Sequence, residues 1–204
     1  MEAIDDLSAV VNAVYEEFGR IDVAILNAGL SQRGTVADTE EEVVRRVNAV
    51  NFLAPAAIVR QLVRRMLSDG GGHIAAVSSL STRVATPYRS AYTASKAALE
   101  TYLTVLRREL YDSEVGVTLA LPGFVNTEIS RNALDPEGTA HGVVDKAQQH
   151  GMSPEVCAER ILGGLERGKR EILIPSDGRT RLGLFLAKWA PGILDRLISR
   201  AEVT

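Results

Sequence analysis

The sequence predicts an α/β fold built on a parallel sheet, and three observations predict it. Short apolar runs at residues 23–26, 73–77, 117–121 and 171–174 alternate with longer stretches of helical periodicity. The runs are nearly continuous in apolar residues rather than alternating, the pattern of parallel strands covered on both faces. Two of them pass straight into glycine-containing turns, Asn27-Ala28-Gly29 and Pro122-Gly123, at the carboxyl edge where open α/β sheets bind ligands.

Each element has its own local cause. Apolar residues at helical spacing over 3–18 give a first amphipathic helix, stopped by Gly19. A strand follows at 23–26. Thr39-Glu40-Glu41-Glu42 carries the Thr-x-x-Glu pattern of a capping box, opening a helical region to Leu67 with a break near Asn48. Residues 68–72 form a turn, since Gly70-Gly71-Gly72 precedes a strand rather than following one. The strand at 73–77 leads through a serine-containing loop into a long helix over 90–111. After the strand at 117–121, residues 128–152 are irregular. Ser153 and Pro154 suit the N-cap and first position of a helix reaching Arg167. The last strand is 171–174.

Composition bounds the function. At 204 residues and 46% hydrophobic, the chain is about one domain with a sizeable core. A formal charge of −3 and the lack of Lys/Arg runs give no electrostatic case for nucleic acid. The single Cys157 excludes an intrachain disulfide and fits a reducing compartment. His73, His141 and His150 lie far from any Cys or His at metal-ligand spacing, so no metal site is expected. The N-terminus MEAIDDLSAV lacks the apolar core of a signal peptide, which predicts a cytoplasmic or membrane-peripheral location.

The richest segment is 78–96, SSLSTRVATPYRSAYTASK. Residues four apart on a helix share a face, so Lys96 can stand near Tyr92. A free tyrosine titrates near ~10, and a nearby cation favours phenolate, which makes Tyr92 a candidate acid or base. Ser79, at the end of the preceding strand, could hold a substrate oxygen beside the phenol.

Further landmarks come in a fixed order: Asn27-Ala28-Gly29, Asn51 in VNAVNFLAP, Ser79, Tyr92-x-x-x-Lys96 and PGFVNT ending at Thr127. Together they resemble the short-chain dehydrogenase/reductase family, from about Asp5 to at least Arg170. Within it, RSAYTASK, NALDPEGTAHGVVD and LAKWAPGILDRL are similar to the membrane-associated dehydrogenase/reductase group called member 7B, with hydroxysteroid dehydrogenases as neighbours. The resemblance implies a Rossmann-like, doubly wound sheet, here strands 4-5-6-7 of the family order. It also implies NAD or NADP as cofactor, a small-molecule alcohol or ketone substrate of lipid-like or other apolar character, and a homo-oligomer.

It assigns roles as well. Tyr92 passes a proton to or from the substrate oxygen, while Lys96 lowers the tyrosine's pKa and binds the nicotinamide ribose. Ser79 orients the substrate, and Ser78 is structural. Asn51, with Asn48 as competitor, holds a water linking Lys96 to solvent; Ala54 stands where the family often has Gly. Asn27, Ala28 and Gly29 approach the ribose side of the cofactor. Pro122, Gly123, Val125 and Thr127 approach its carboxamide or pyrophosphate. For Gly29 and Gly123 a turn requiring positive φ is an equal explanation. Tyr88 either lines the substrate pocket or merely packs, and 128–152 is a substrate cover.

The Thr-Gly-x-x-x-Gly-x-Gly turn that holds pyrophosphate in the family, and the residue that selects NAD or NADP, are not in this sequence. Met1 falls where the family has its third helix, so the expectation is a single partial domain, residues 1–204, short of a βαβαβ half of on the order of 60 residues. Its strand at 23–26 would then be a bare apolar edge, and activity in isolation would be weak. The alternative is a non-catalytic remnant acting as a dimerising or binding module. A C-terminal amphipathic arm over 180–204, interrupted by Lys188 and Pro191, is too short and charged to span a bilayer. Two readings of it stand open, a helix lying on a membrane surface with Trp189 at the interface and an arm packed on a sister subunit.

Overall fold

A computed structural model describes residues 2–199. Helix α1 (Glu2–Phe18) leads to β1 (Val23–Leu26), then α2 (Glu41–Asn48), a π-turn (Ala49–Leu53) and α3 (Ala54–Ser68). Next come β2 (Gly72–Val77), a 3₁₀ turn (Leu80–Thr82), α4 (Ser90–Glu109) and β3 (Val115–Pro122). The chain continues through α5 (Lys146–Gln149), α6 (Pro154–Glu166), β4 (Glu171–Ile174), α7 (Gly178–Trp189) and α8 (Pro191–Ile198). The four strands form one sheet in the order β1-β2-β3-β4, and every pair is parallel. Each connection between neighbouring strands therefore crosses over through helix, as a parallel pair requires.

One face of the sheet carries the main core. Ile74 and Ala76 of β2 and Val117, Leu119 and Leu121 of β3 pack against Val59, Leu62 and Met66 of α3 and Leu99, Leu103 and Leu106 of α4, while Val11 and Tyr15 close the end from α1. On the opposite face, Ala120, Ile172 and Ile174 meet Cys157 and Ile161 of α6. That second cover stops short of β1, where Val23 is 53% and Ile25 44% exposed. The expected two-faced burial thus holds over β2 and β3, while β4 buries one face and leaves Leu173 49% exposed, and β1 is an edge strand with apolar side chains open to solvent.

Two local expectations change. The helix expected to begin at a Thr39 cap begins at Glu41, with extended Glu40 at its N-cap and no side-chain cap. Thr39 is engaged elsewhere: its hydroxyl donates to the Thr35 carbonyl (2.6 Å) and accepts from Gln32 Nε2 (3.2 Å). The break expected near Asn48 is the π-turn. Pro55, four residues after Asn51, has no N–H to donate, and the ladder widens so that the Ala54 N–H donates to the Ala49 carbonyl. Ser153 caps α6, accepting from the Val156 N–H at 3.3 Å. Gly70 and Gly71, at φ +79° and +138°, make the turn before β2, a backbone that side chains resist. The C-terminal arm is two helices, α7 and α8, that meet at Ala190; residues 200–204 of that arm, and Met1, lie outside the described residues. Among the described residues no helix is long and apolar enough to cross a membrane.

Candidate active site

The site gathers at the carboxyl ends of β1, β2 and β3. Asn51, buried in the π-turn, reaches across to the loop after β1. Its Oδ1 accepts from the Leu30 N–H (2.8 Å), and its Nδ2 donates to the Leu30 carbonyl (2.9 Å) and to Ser95 Oγ (2.9 Å). Ser95 Oγ donates in turn to the Tyr92 carbonyl (2.8 Å). One amide thus pins the β1 loop, the π-turn and α4 together. Both Asn51 donors are consumed in this clamp, so a water would have to be held by its carbonyl oxygens. Asn48 points away from the site and donates to the Val44 carbonyl (2.8 Å).

Lys96, 3% exposed, donates from Nζ to the Val77 carbonyl at 2.9 Å. Burial pulls its pKa down to about 8, with the Glu100 carboxylate opposing. Gly29 runs directly past it. A Cβ at Gly29 would sit 3.2 Å from Lys96 Nζ and 3.6 Å from Asn51 Oδ1. The missing side chain lets the backbone run close beside an ammonium that, among the described residues, gives one N–H bond to the Val77 carbonyl.

Tyr92 is buried one turn earlier on α4. Burial raises its pKa, opposed by a hydrogen bond with Ser79 and by the charges of Arg89 and Arg33. The charges that favour phenolate here come from Arg89 and Arg33, while the Lys96 ammonium donates to the Val77 carbonyl. Ser79 caps the 3₁₀ turn, accepting from the Ser81 N–H (3.1 Å). Its neighbour Ser78 is structural as expected, donating to buried Glu100 (2.5 Å). Arg83 ties Glu100 to Glu171 at 2.6 and 2.8 Å.

The turn after β3 also reaches the site. The Gly123 N–H donates to the Ile174 carbonyl (2.9 Å), and a Cβ there would lie 3.1 Å from the Ser176 nitrogen, so close packing rather than positive φ calls for glycine. The Val125 carbonyl accepts from Gln148 Nε2 at 2.6 Å, and Thr127 faces it at 3.5 Å, at the limit of a hydrogen bond. Pro122 closes β3 and is buried.

A cavity of about 770 Å³ opens from Tyr92 and Ser79. Its walls combine aliphatic side chains, Val84, Ile129, Leu182, Leu186, Leu194 and Leu197 among them, with charged ones such as Arg89, Asp145 and Arg179, and much of the lining comes from α7 and α8. Tyr88 is not among the lining residues. It stands 47% exposed at φ +65°, with its carbonyl accepting from the Gly34 N–H in a turn ahead of α4. The substrate-cover expectation for 128–152 fits Ile129, Lys146 and Gln148, which do line the cavity.

Three charged residues at this wall were not foreseen from sequence. Asp145 is held by Arg33 and by Arg89 (2.7 Å), and all three are buried. Arg33 also donates to Ser31 Oγ (2.8 Å), and the Arg89 guanidinium lies 5.7 Å over the Phe124 ring. Arg89 precedes the Tyr92 helix in sequence and could have been flagged there; nothing local marks Asp145 or Arg33. Among the described residues no group of three His, Cys, Asp or Glu stands close enough to hold a metal.

Comparison with known proteins agrees with this architecture. The short chain dehydrogenase family model matches residues 1–138. Dehydrogenase/reductase SDR family member 7B of Bos taurus is 35% identical over 197 residues, covering 96% of this chain and 60% of that protein. The SDR family protein 7-like dehydrogenase/reductase of Drosophila melanogaster is 32% identical over 200 residues, 98% of this chain and 61% of its own length. The chain thus spans about 60% of the length of these curated relatives. A short-chain dehydrogenase/reductase from Burkholderia phymatum, solved in complex with NAD, shares the fold with a TM-score of 0.79 over 98% of this chain and 75% of that one, at 20% identity. With the family model across residues 1–138 and 35% identity to a relative along nearly its whole length, the chain belongs to the short-chain dehydrogenase/reductase family and is of the member 7 type.

Proposed function

We propose that this chain carries the proton-transfer site of an NAD(P)-dependent oxidoreductase that interconverts a secondary alcohol and a ketone on an apolar, lipid-like substrate. One observation carries the reading: Tyr92 and Ser79 line one cavity with a stretch of aliphatic wall from Val84, Leu182, Leu186, Leu194 and Leu197, while charged and polar groups such as Arg89, Asp145 and Arg179 line the rest. A volume of about 770 Å³ suits a drug-sized or lipid-sized molecule.

The chemistry of the site follows from its own residues. The Tyr92 hydroxyl gives its proton to a ketone oxygen, or takes one from an alcohol, and Ser79 orients that oxygen. Lys96 holds ribose hydroxyls with the N–H bonds it does not give to Val77, beside Gly29. Asn27 and Ala28 form the rest of that edge, and Pro122, Gly123, Val125 and Thr127 form the opposite one. When bound, a nicotinamide supplies or accepts the hydride. The residues present fit the nicotinamide-ribose end of the cofactor; residues 1–204 contain no glycine turn for the pyrophosphate. The choice between NAD and NADP is left open by the same gap.

Titration of the chain with NADH and NADPH, followed by cofactor fluorescence, is therefore expected to show weak binding, and micromolar affinity would contradict that part of the reading. A panel of 2-ketones of rising chain length tests the substrate class in a form that adds a glycine-turn half before residue 1. KM is expected to fall as the chain lengthens, and a preference for the shortest, most polar ketone would overturn it. The exposed β1 edge favours one alternative, a module that pairs with a second copy or another strand rather than turning over substrate.

A further inference from the structure

Beyond the cofactor-side lysine, the structure holds a second charge system against Tyr92. Arg89 ends one turn before Tyr92 at the start of α4, is 8% exposed, and lines the same cavity. Its Nε is buried without a partner. One of its Nη atoms donates to Asp145 Oδ2, the oxygen that Arg33 also holds. Two cations and one anion, all buried, leave a net charge of +1 at the cavity wall. Burial and the neighbouring Arg33 lower the Arg89 pKa, and its guanidinium is still charged at neutral pH.

The other charged groups around the cavity are placed differently. Lys146 and His150 on or beside α5, and Asp177 and Arg179 at the start of α7, line the cavity but are exposed, and water screens them. Lys96, one turn beyond Tyr92, directs its ammonium to the Val77 carbonyl, beside Gly29. The buried cluster is thus the unscreened charge on the phenol's side of the cavity.

We propose that the Arg33–Asp145–Arg89 cluster, Arg89 foremost, is the positioning device whose net positive charge sets how readily the Tyr92 hydroxyl releases its proton. Asp145 moderates that charge and at the same time fastens the 128–152 segment over the cavity. The inference rests on Tyr92 being the proton-transfer group, but its test reads the phenol directly and needs neither cofactor nor substrate.

The chain is labelled at tyrosine Cζ and titrated by carbon NMR, with Tyr92→Phe identifying the Tyr92 signal among the five tyrosines. Arg89→Met removes the net charge, and the phenol midpoint should rise by on the order of one unit. Asp145→Asn leaves two unopposed cations, and the midpoint should fall by a similar amount. Arg89→Lys keeps the charge and should return the midpoint close to the parent value. A merely structural role predicts something else: either substitution would loosen the wall, admit water and move the midpoint down. Equal signs for Arg89→Met and Asp145→Asn, or no shift in Arg89→Met, therefore overturn the proposal. Should Arg89→Met not fold, Arg33→Met is expected to give the same upward sign with a smaller shift, and a downward or absent shift there counts against it equally.

Discussion

Lys96 stands in a place that favours its neutral form, and that has a measurable consequence. Its pKa in the folded chain, about 8, lies below the ordinary 10.5, so folding favours the unprotonated amine. At pH values below about 8 the buried charge costs stability on the order of 3 kcal/mol; the cost fades as pH rises toward 10.5. Lys96→Met should therefore raise the melting temperature near neutral pH, with the gap to the parent closing through that window in thermal scans. A Met variant less stable than the parent at neutral pH would contradict this account of the burial. The Tyr92–Lys96 pair was legible in the sequence because four-residue spacing puts both on one helix face. The electrostatics were not. Which cation reaches the phenol depends on Arg33 and Asp145, which tertiary folding brings together across 112 residues, with Asp145 meeting Arg89 across 56. The positive φ of Tyr88 was not legible either, since proximity in sequence to Tyr92 says nothing about the backbone turn.

The element that organises the site is the π-turn between α2 and α3. Its widened ladder turns Asn51 inward, where one side chain satisfies both backbone groups of Leu30 and meets Ser95. Asn51→Ala would leave the Leu30 N–H and carbonyl without partners, at about 1–3 kcal/mol for each buried group. Urea denaturation should show Asn51→Ala losing at least about 2 kcal/mol, while Asn48→Ala, which loses only a bond to its own helix, stays within a few tenths. Equal losses at the two positions would remove Asn51 from its clamp role. The sequence showed a break here because Asn48 and Asn51 interrupt the apolar periodicity, but periodicity cannot distinguish a π-turn from a simple kink. Strands β1 and β4 were legible to the residue, since runs of four and three apolar residues closed by Asn-Ala-Gly or Pro leave little freedom. The Thr39 cap was misread because Gln32 and the Thr35 carbonyl compete for its hydroxyl.

For the whole molecule, the parallel sheet presents its site at the carboxyl edge and an unpaired strand at its flank. Val23 and Ile25 of β1 project into solvent beside unpaired backbone groups, the arrangement that templates strand pairing. Ile25→Lys should lower concentration-dependent self-association in light scattering without changing the far-ultraviolet spectrum, and unchanged association would place any contact elsewhere. This edge was foreseen from the order of strands, whereas the cavity was not, because α7 and α8 read in sequence as one arm rather than as a wall over Tyr92. The central claim is that Tyr92 moves the proton in hydride transfer to an apolar ketone. The most direct measurement compares NAD(P)H-dependent ketone reduction by the parent and Tyr92→Phe, each with a glycine-turn half supplied before residue 1. The account predicts a loss of about 10²-fold or more in kcat with the fold intact; a Phe variant that keeps the parent's rate would contradict it.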